Sequence, residues 1–423
     1  MTMQAGNPEY QGLWLDDPVH RAFLAADACR TLDFFDASPR PGGGFRLLDA
    51  RGAPRKTTLQ ELHTTTRLVH SYALAHLAGR PDGAGIIDQG MDYLWRRHRD
   101  RVHGGYLWAL EGDRIADGTK LAYGQGFVLL AASSARLAGH PDADRLLADV
   151  AEVLDHHFWD DTVGLLRDEF TRDWQPFSNY RGMNGNMHGV EALLAAHEVT
   201  GEGLFLRRAG AILDFFLLRQ AEAYGWRIPE HHDAQWQVDP DYAGDPVFRP
   251  RGTTPGHSLE FARLGLQWWD LAGRPDHPMP RIARKLVDVA LDGGWDGERG
   301  GLVYTLNLRN GAVDNPARYW WPVTEAVSAV AALIAIHPDP ALEQWYRKIW
   351  QFAADCLVDP RGGWVHALDK QNRPCEAQFV GKPDIYHSLQ SDLIPLSGAL
   401  SNVGRALRLR KPLSGTPIQG PSL

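Results

Sequence analysis

A glycine set just before an aromatic or apolar residue recurs six times along the chain, at Gly44, Gly105, Gly164, Gly225, Gly301 and Gly363. The spacings are 61, 59, 61, 76 and 62 residues. A period of this size marks an array of units, none of which can bury its apolar faces alone. The recurring segments read "GGGFRLLD", "GGYLWALEGD", "GLLRDEFTRDW", "GWRIPEHHDAQW", "GGLVYTLNLRNG" and "GGWVHALDKQNRP". Each alternates apolar and polar residues, and several end in a turn former, so each reads as a short β-hairpin. The one long interval holds an insertion, "QVDPDYAGDPVFRPRGTTPG".

Helical patterns flank every signature. Segments such as "DADRLLADVAEVLDHHFWD" and "LEQWYRKIWQFAADCLVD" precede it, and their charged faces mark amphipathic outer helices. Segments poorer in charge and rich in Ala, Leu and Gly follow it, from "TTTRLVHSYALAHLAG" in the first unit to "YHSLQSDLIPLSGALSNVGRAL" in the last. Several stop at Gly or Pro. Six outer and six inner helices in alternation predict an all-α fold, an (α/α)6 barrel with short β-hairpins at one end. Closure into one toroid makes residues 1–423 a single catalytic domain. A βαβ arrangement fails because the helices come in pairs and the hairpins are short.

In such a barrel the N-terminal ends of the inner helices point into one mouth. The residues there are Arg67, Tyr123 with Gln125, His188 with Glu191, His257 with Glu260, Trp321 with Glu325, and His387 with Gln390. His188 and His387 both follow their hairpin glycine by 24 residues, and the insertion moves His257 to 32. Each histidine has a polar residue at i+3, on the same helix face and able to orient it. The positive end of the helix dipole disfavours an imidazolium and favours a neutral base. One histidine at a helix start is commonplace; three at equivalent repeat positions beside an arginine suit general acid–base chemistry. His63, His70, His103, His156, His157, His197, His337 and His366 lack this placement and read as structural or surface groups.

Other chemistries find less support. Lys and Arg number 44 against 52 Asp and Glu, a net charge of −8, which offers no footprint for nucleic acid. The longest apolar stretch, "AVSAVAALIAI", is far short of a membrane span. The N-terminus shows no secretory pattern, and three cysteines without CxxC spacing suggest reduced thiols, so a cytoplasmic location is expected. No HExxH, zinc-spaced cysteine set or phosphate loop occurs, so neither a metal nor another cofactor is expected. "EHHD", Glu230 to Asp233, is the nearest local cluster, but adjacent histidines on an extended segment point to opposite faces. With 15 Trp, 12 Tyr and 15 Phe, aromatic rings can both fill a helical core and line a sugar cleft.

The segments "TTTRLVHSY", "NGNMHGVEALLAAHEVTG", "PEHHDAQW", "FRPRGTTPGHSLEFARL", "YWWPVTEA" and "GKPDIYHSLQSDLIP" resemble the N-acylglucosamine 2-epimerase superfamily, most closely its mannose-isomerising branch. The resemblance covers nearly the whole chain. It implies the same barrel and a cofactor-free isomerase that exchanges D-mannose with D-fructose, and D-lyxose with D-xylulose, through a cis-enediol. It implies proton transfer by His257 and His387, support of the sugar oxygens by His188, and polarisation of O1 and O2 by Arg67. Glu260, Tyr123, Asn184, Trp321 and Glu325 match pocket positions of the family. Phe261, His232 and Arg251 depart from it, where relatives favour Trp, another aromatic and Tyr. A sugar 2-epimerase (cellobiose or N-acylglucosamine type) and an isomerase of an anionic sugar, with Arg249 and Arg251 as cations, are the family alternatives. From another class, a glycoside hydrolase could use Glu260 and Glu325 as paired carboxylates. The expected partner is a small monosaccharide, and self-association into a homo-oligomer stays open.

Overall fold

The computed structural model describes residues 3–415. It contains thirteen α-helices: α1 Pro18–Phe35, α2 Leu62–Leu77, α3 Ala84–Tyr93, α4 Ala122–Ala138, α5 Ala143–Val153, α6 Met183–Thr200, α7 Gly203–Leu213, α8 Pro255–Leu271, α9 Met279–Gly294, α10 Trp320–Ile336, α11 Pro340–Cys356, α12 Tyr386–Ser397 and α13 Val403–Arg410. Helices α2, α4, α6, α8, α10 and α12 contact one another in that order, and α12 returns to α2, closing an inner ring. Odd-numbered helices α1 to α11 pack outside it, giving the predicted (α/α)6 barrel.

Sequence patterning explains which helix goes where. Outer helix α9 buries Met279, Ile282, Ala283, Leu286, Val287, Ala290 and Leu291, one stripe at helical spacing, and exposes the charged remainder. Inner helix α10, "WWPVTEAVSAVAALIAI", is buried on all sides from Trp320 to Ile334. Only a helix wrapped by neighbours can be apolar all round. Starts are set locally: Asp17 accepts from the Val19 amide with Pro18 in the first turn, and Asp339 does the same for Ala341 with Pro340.

All six signature glycines have positive φ, from 63° at Gly363 to 81° at Gly301. Side chains are disfavoured in that region, so glycine is the residue that can turn the chain there. The hairpins also stitch the ring together. The segment before each inner helix pairs with the hairpin of the next unit: Leu59–Glu61 with Ala109–Glu111, Lys120–Leu121 with Glu169–Phe170, Arg181–Gly182 with His231–His232, Thr253 with Leu306, and Arg318–Tyr319 with Ala367–Leu368. The last segment closes the circle, with the Lys382 amide donating to the Leu48 carbonyl at 3.2 Å. Every inner-helix head is thereby held at the same mouth.

One boundary differs from the sequence pattern. "YHSLQSDLIPLSGALSNVGRAL" is not a single helix: it breaks at Gly398, φ 59°, into α12 and α13. Pro395 lacks the amide that would continue the ladder, and Gly398 supplies the left-handed stop.

Candidate active site

The mouth holds a pocket lined by Arg67, Tyr123, Asn184, His188, His257, Glu260, Trp321 and His387, with Val247, Phe248, Tyr304, Trp320 and Phe379. Eight of the nine candidate residues are therefore brought together. Glu325 is the exception. It sits behind His387 rather than in the lining, because its carboxylate is engaged: Oε1 lies 3.0 Å from His387 Nδ1, and Oε2 accepts from Arg263 at 3.4 Å.

His257 also faces a carboxylate, at ion-pair distance though without the aligned hydrogen bond that His387 has. Its Nδ1 lies 3.1 Å from Glu230 Oε1, and Glu230 also accepts from the Thr254 amide just before α8. A carboxylate at Nδ1 fixes the tautomer and leaves Nε2 for a substrate. Burial alone would raise the pKa values of Glu230 and Glu325, but His257 for the first, and Arg263 with His387 for the second, hold both below the usual carboxylate range. Both therefore stay ionised, ready to stabilise an imidazolium.

The i+3 residues turn out not to be the partners of these two histidines. Helical side chains lean toward the N-terminus, so a first-turn histidine points out of the helix end while the residue three on lies a turn deeper. Gln390 faces Glu191 and His70 instead, at 3.4 and 3.2 Å. Only His188 keeps its own-helix partner, with Nδ1 3.5 Å from Glu191 Oε2. Burial drives the His188 pKa down to about 4 against the pull of Glu191, so this ring is neutral at physiological pH. Gln125 also leaves the site: it hydrogen-bonds both backbone groups of Tyr106 and pins a hairpin.

Arg67 is the most fixed group in the pocket. It donates to Asp384 Oδ1 at 2.9 Å and to the Tyr123 hydroxyl at 2.8 Å, with its guanidinium over the Phe127 ring at 4.7 Å and the Tyr386 ring at 4.9 Å. Burial would raise the Asp384 pKa, yet Arg67 holds it low, and Asp384 Oδ2 accepts from the His387 amide at the head of α12. One carboxylate thus sets the arginine and the histidine helix together. The Trp321 ring lies against both catalytic candidates, 4.9 Å from His257 and 5.9 Å from His387. Gly256 makes room for it, since a Cβ there would meet Trp321 Cζ3 at 2.5 Å.

Beneath the pocket, Arg263 stands among carboxylates, 3.4 Å from Glu325 and 3.9 Å from both Glu191 and Glu260. Donor atoms of His188, Glu191 and Glu260 lie within 4.8 Å of one another, close enough to hold a cation. The Arg263 guanidinium already supplies positive charge at that point, which works against a divalent ion there. "EHHD" is divided as its extended backbone requires: Glu230 faces His257, His231 bonds the Pro250 carbonyl, and His232 bonds Gln220.

The sequence pattern passed over Glu230, Arg263, Asp384 and Phe248. All four lie inside quoted motifs, Glu230 in "PEHHDAQW", Phe248 and Arg263 in "FRPRGTTPGHSLEFARL" and Asp384 in "GKPDIYHSLQSDLIP", and that is the signal that could have found them. His63 and His366, read as structural, stand at the rim: His63 stacks on Trp108 at 5.1 Å, and His366 on the pocket residue Trp320 at 3.9 Å.

Such a barrel, with two carboxylate-paired histidines and a clamped arginine at one mouth, is matched by the N-acylglucosamine 2-epimerase family over residues 43–391, and the chain belongs to that family. Among its members it is similar to a D-mannose isomerase of Thermobifida fusca, 41% identical over 93% of this chain and the whole of that protein. A D-mannose isomerase of Pseudomonas cannabina pv. alisalensis is 39% identical over 90% of this chain and 94% of its own. A crystal structure of a D-mannose isomerase superposes with a TM-score of 0.85 at 31% identity, covering 89% of this chain and 98% of that one. The cellobiose 2-epimerase of Spirochaeta thermophila shares the fold, with a TM-score of 0.78 at 21% identity over 89% of this chain and 96% of that one.

The histidine–carboxylate pairs lead to a direct expectation. Glu230→Gln and Glu325→Gln keep shape but replace the anion behind each imidazole, so an imidazolium forms less readily. Turnover should fall about 100-fold or more in each, within the range for a weakened acid–base group. The KM for sugar should change little. Steady-state kinetics check this, and an unchanged kcat in both variants would remove these carboxylates from the chemistry.

Proposed function

We propose that this protein is an aldose–ketose isomerase that interconverts D-mannose and D-fructose, and D-lyxose with D-xylulose, without a cofactor. The observation that carries the reading is the pair of histidines, His257 and His387, each facing an ionised carboxylate at Nδ1 and each lining the pocket with Arg67. The similarity to D-mannose isomerases names the sugar.

The open-chain aldose offers a C2 proton made acidic by the C1 carbonyl. One imidazole removes it, Arg67 stabilises the oxygen charge that develops, and an enediol forms. Return of a proton to C1 gives the ketose. Trp321, beside both histidines, forms a wall for the planar intermediate. Tyr123, its phenol kept protonated by burial with a pKa of about 12, and Asn184, whose Oδ1 is buried with no hydrogen-bond partner, would hold distal hydroxyls.

Hydrolysis by Glu260 and Glu325 is disfavoured by placement. Only Glu260 lines the pocket, while Glu325 is committed to His387 and Arg263. An anionic sugar is also a poorer fit, because the charge of Arg249 is taken by Glu169, with which it forms a close ion pair. Among the described residues no helix is long and apolar enough to cross a membrane. A cytoplasmic monosaccharide enzyme is the reading that the three thiols suit.

Proton NMR of D-mannose in deuterated water containing EDTA tests the proposal. Fructose carrying deuterium at C1, and mannose gaining deuterium at C2, are expected. Mannose left unchanged, or its conversion to the C2 epimer glucose as the sole product, would refute the isomerase reading.

A further inference from the structure

Glu260 is the polar group in the pocket whose chemistry the histidines and Arg67 leave unused. It sits one turn below His257 on α8, lines the same pocket, and is buried with both carboxyl oxygens lacking a hydrogen-bond partner among the described residues. Its surroundings are crowded with acid. Glu191 of α6 and Glu325 of α10 share Arg263 with it, and Arg67 of α2 is already paired with Asp384. His188 Nδ1 of α6 is 3.6 Å away, while the nearby phenols are engaged elsewhere, Tyr386 of α12 donating to Glu191 and Tyr123 of α4 accepting from Arg67. Three other carboxylates thus stand against two guanidinium groups before Glu260 is counted.

Isomerisation moves two protons, not one. The carbon-bound proton passes from C2 to C1, while O1 gains a proton and O2 loses one. The histidines account for the first transfer only. We propose, resting on the isomerase reading above, that Glu260 enters as the neutral carboxylic acid and carries the hydroxyl proton between O1 and O2 of the open-chain sugar.

The steps balance. A histidine takes the C2 proton, the C–H electron pair becomes the C1=C2 bond, and O1 takes the carboxyl proton as the C1=O1 bond opens. The enediol then yields its O2 proton to the Glu260 carboxylate, C2=O2 forms, and the C1=C2 pair takes a proton from the imidazolium onto C1. Acid and base both return to their starting forms, and no co-reactant is consumed. Burial first, then the charges of Glu325 and Glu191, push the Glu260 pKa well above the usual carboxylate range, overriding Arg263 and Arg67.

The test is Glu260→Gln followed by NMR in deuterated water, reading deuterium entry at C2 of mannose and fructose formation in one experiment. An amide of the same shape cannot relay a proton, so fructose formation should fall about 100-fold, within the usual range for a lost acid–base group. Arg67 still stabilises the enediolate, which now returns to mannose more often than it goes forward. The ratio of C2 exchange to fructose should therefore rise about tenfold or more, and Glu260→Asp, which keeps an acid, should hold the wild-type ratio even at reduced turnover. An unchanged ratio in Glu260→Gln, whether both rates fall together or neither falls, would overturn the proposal. Wild-type enzyme that makes no fructose at all would instead overturn the isomerase reading beneath it.

Discussion

His257→Ala and His387→Ala should each lower kcat for mannose by about 10³- to 10⁴-fold, the upper part of the range for a positioned acid–base group. Neither loss should come mainly through KM, because the sugar keeps Arg67, Tyr123, Asn184 and His188 in the same pocket. The two variants are not equivalent in stability. His257→Ala leaves Glu230 buried with the Thr254 amide as its remaining donor, while His387→Ala leaves Glu325 with Arg263. An orphaned buried carboxylate costs roughly 1–3 kcal/mol, so a lowered melting temperature is expected first of all for His257→Ala. His257→Asn, which keeps a hydrogen-bond donor without a titratable ring, separates the two effects. It should recover the melting temperature and not the turnover.

The same variants divide the labour between the histidines. Deuterium entry at C2 of mannose reports the group that works on C2, and entry at C1 of fructose reports the group that works on C1. If one imidazole serves both carbons, one variant abolishes both exchanges and the other only slows them. Turnover within about tenfold of wild type in either variant would remove that residue from proton transfer.

What the sequence makes legible, and what it hides, follows from the geometry of a ring. The six glycines announce the turns because backbone conformation is a local property, readable residue by residue. The pocket residues at helix heads are readable for a similar reason: once the register of an inner helix is known, its first two turns name Tyr123, His188, His257 and His387. The groups that hold those residues are another matter. Glu230 reaches His257 from 27 residues away, Glu325 reaches His387 from 62, and Asp384 reaches Arg67 from 317. The first contact joins a hairpin to the inner helix that follows it, the other two join neighbouring units of the ring, and no periodicity within a helix encodes any of them. The i+3 rule pairs residues on one face correctly, yet it is silent on which of them looks into the mouth and which into the floor. Gln390 obeys the rule and belongs to the floor, with Glu191 and His70. The break at Gly398 was masked by the apolar continuity of the residues on either side.

Arg67→Met should cost about 10²- to 10³-fold in kcat, the scale for removing one donor from a developing oxyanion. The guanidinium is locked before substrate arrives, by Asp384, by the Tyr123 hydroxyl and by two aromatic faces. A donor held this way needs no reorganisation as charge moves onto O1, so its effect belongs to the transition state rather than to binding. Loss should therefore appear in kcat with only a modest rise in KM. Removing Arg67 alone strands Asp384 in the interior, and breaking a buried pair costs on the order of 3–5 kcal/mol. Asp384 also accepts the His387 amide, so its displacement would misplace a catalytic candidate and exaggerate the effect. The double variant Arg67→Met with Asp384→Asn removes the stranded charge while keeping an acceptor for that amide. It should regain most of the lost melting temperature and stay at least about 100-fold below wild type in kcat. Recovery of activity along with stability would mean that Arg67 serves to shape the pocket, and that the enediolate charge is carried by other groups.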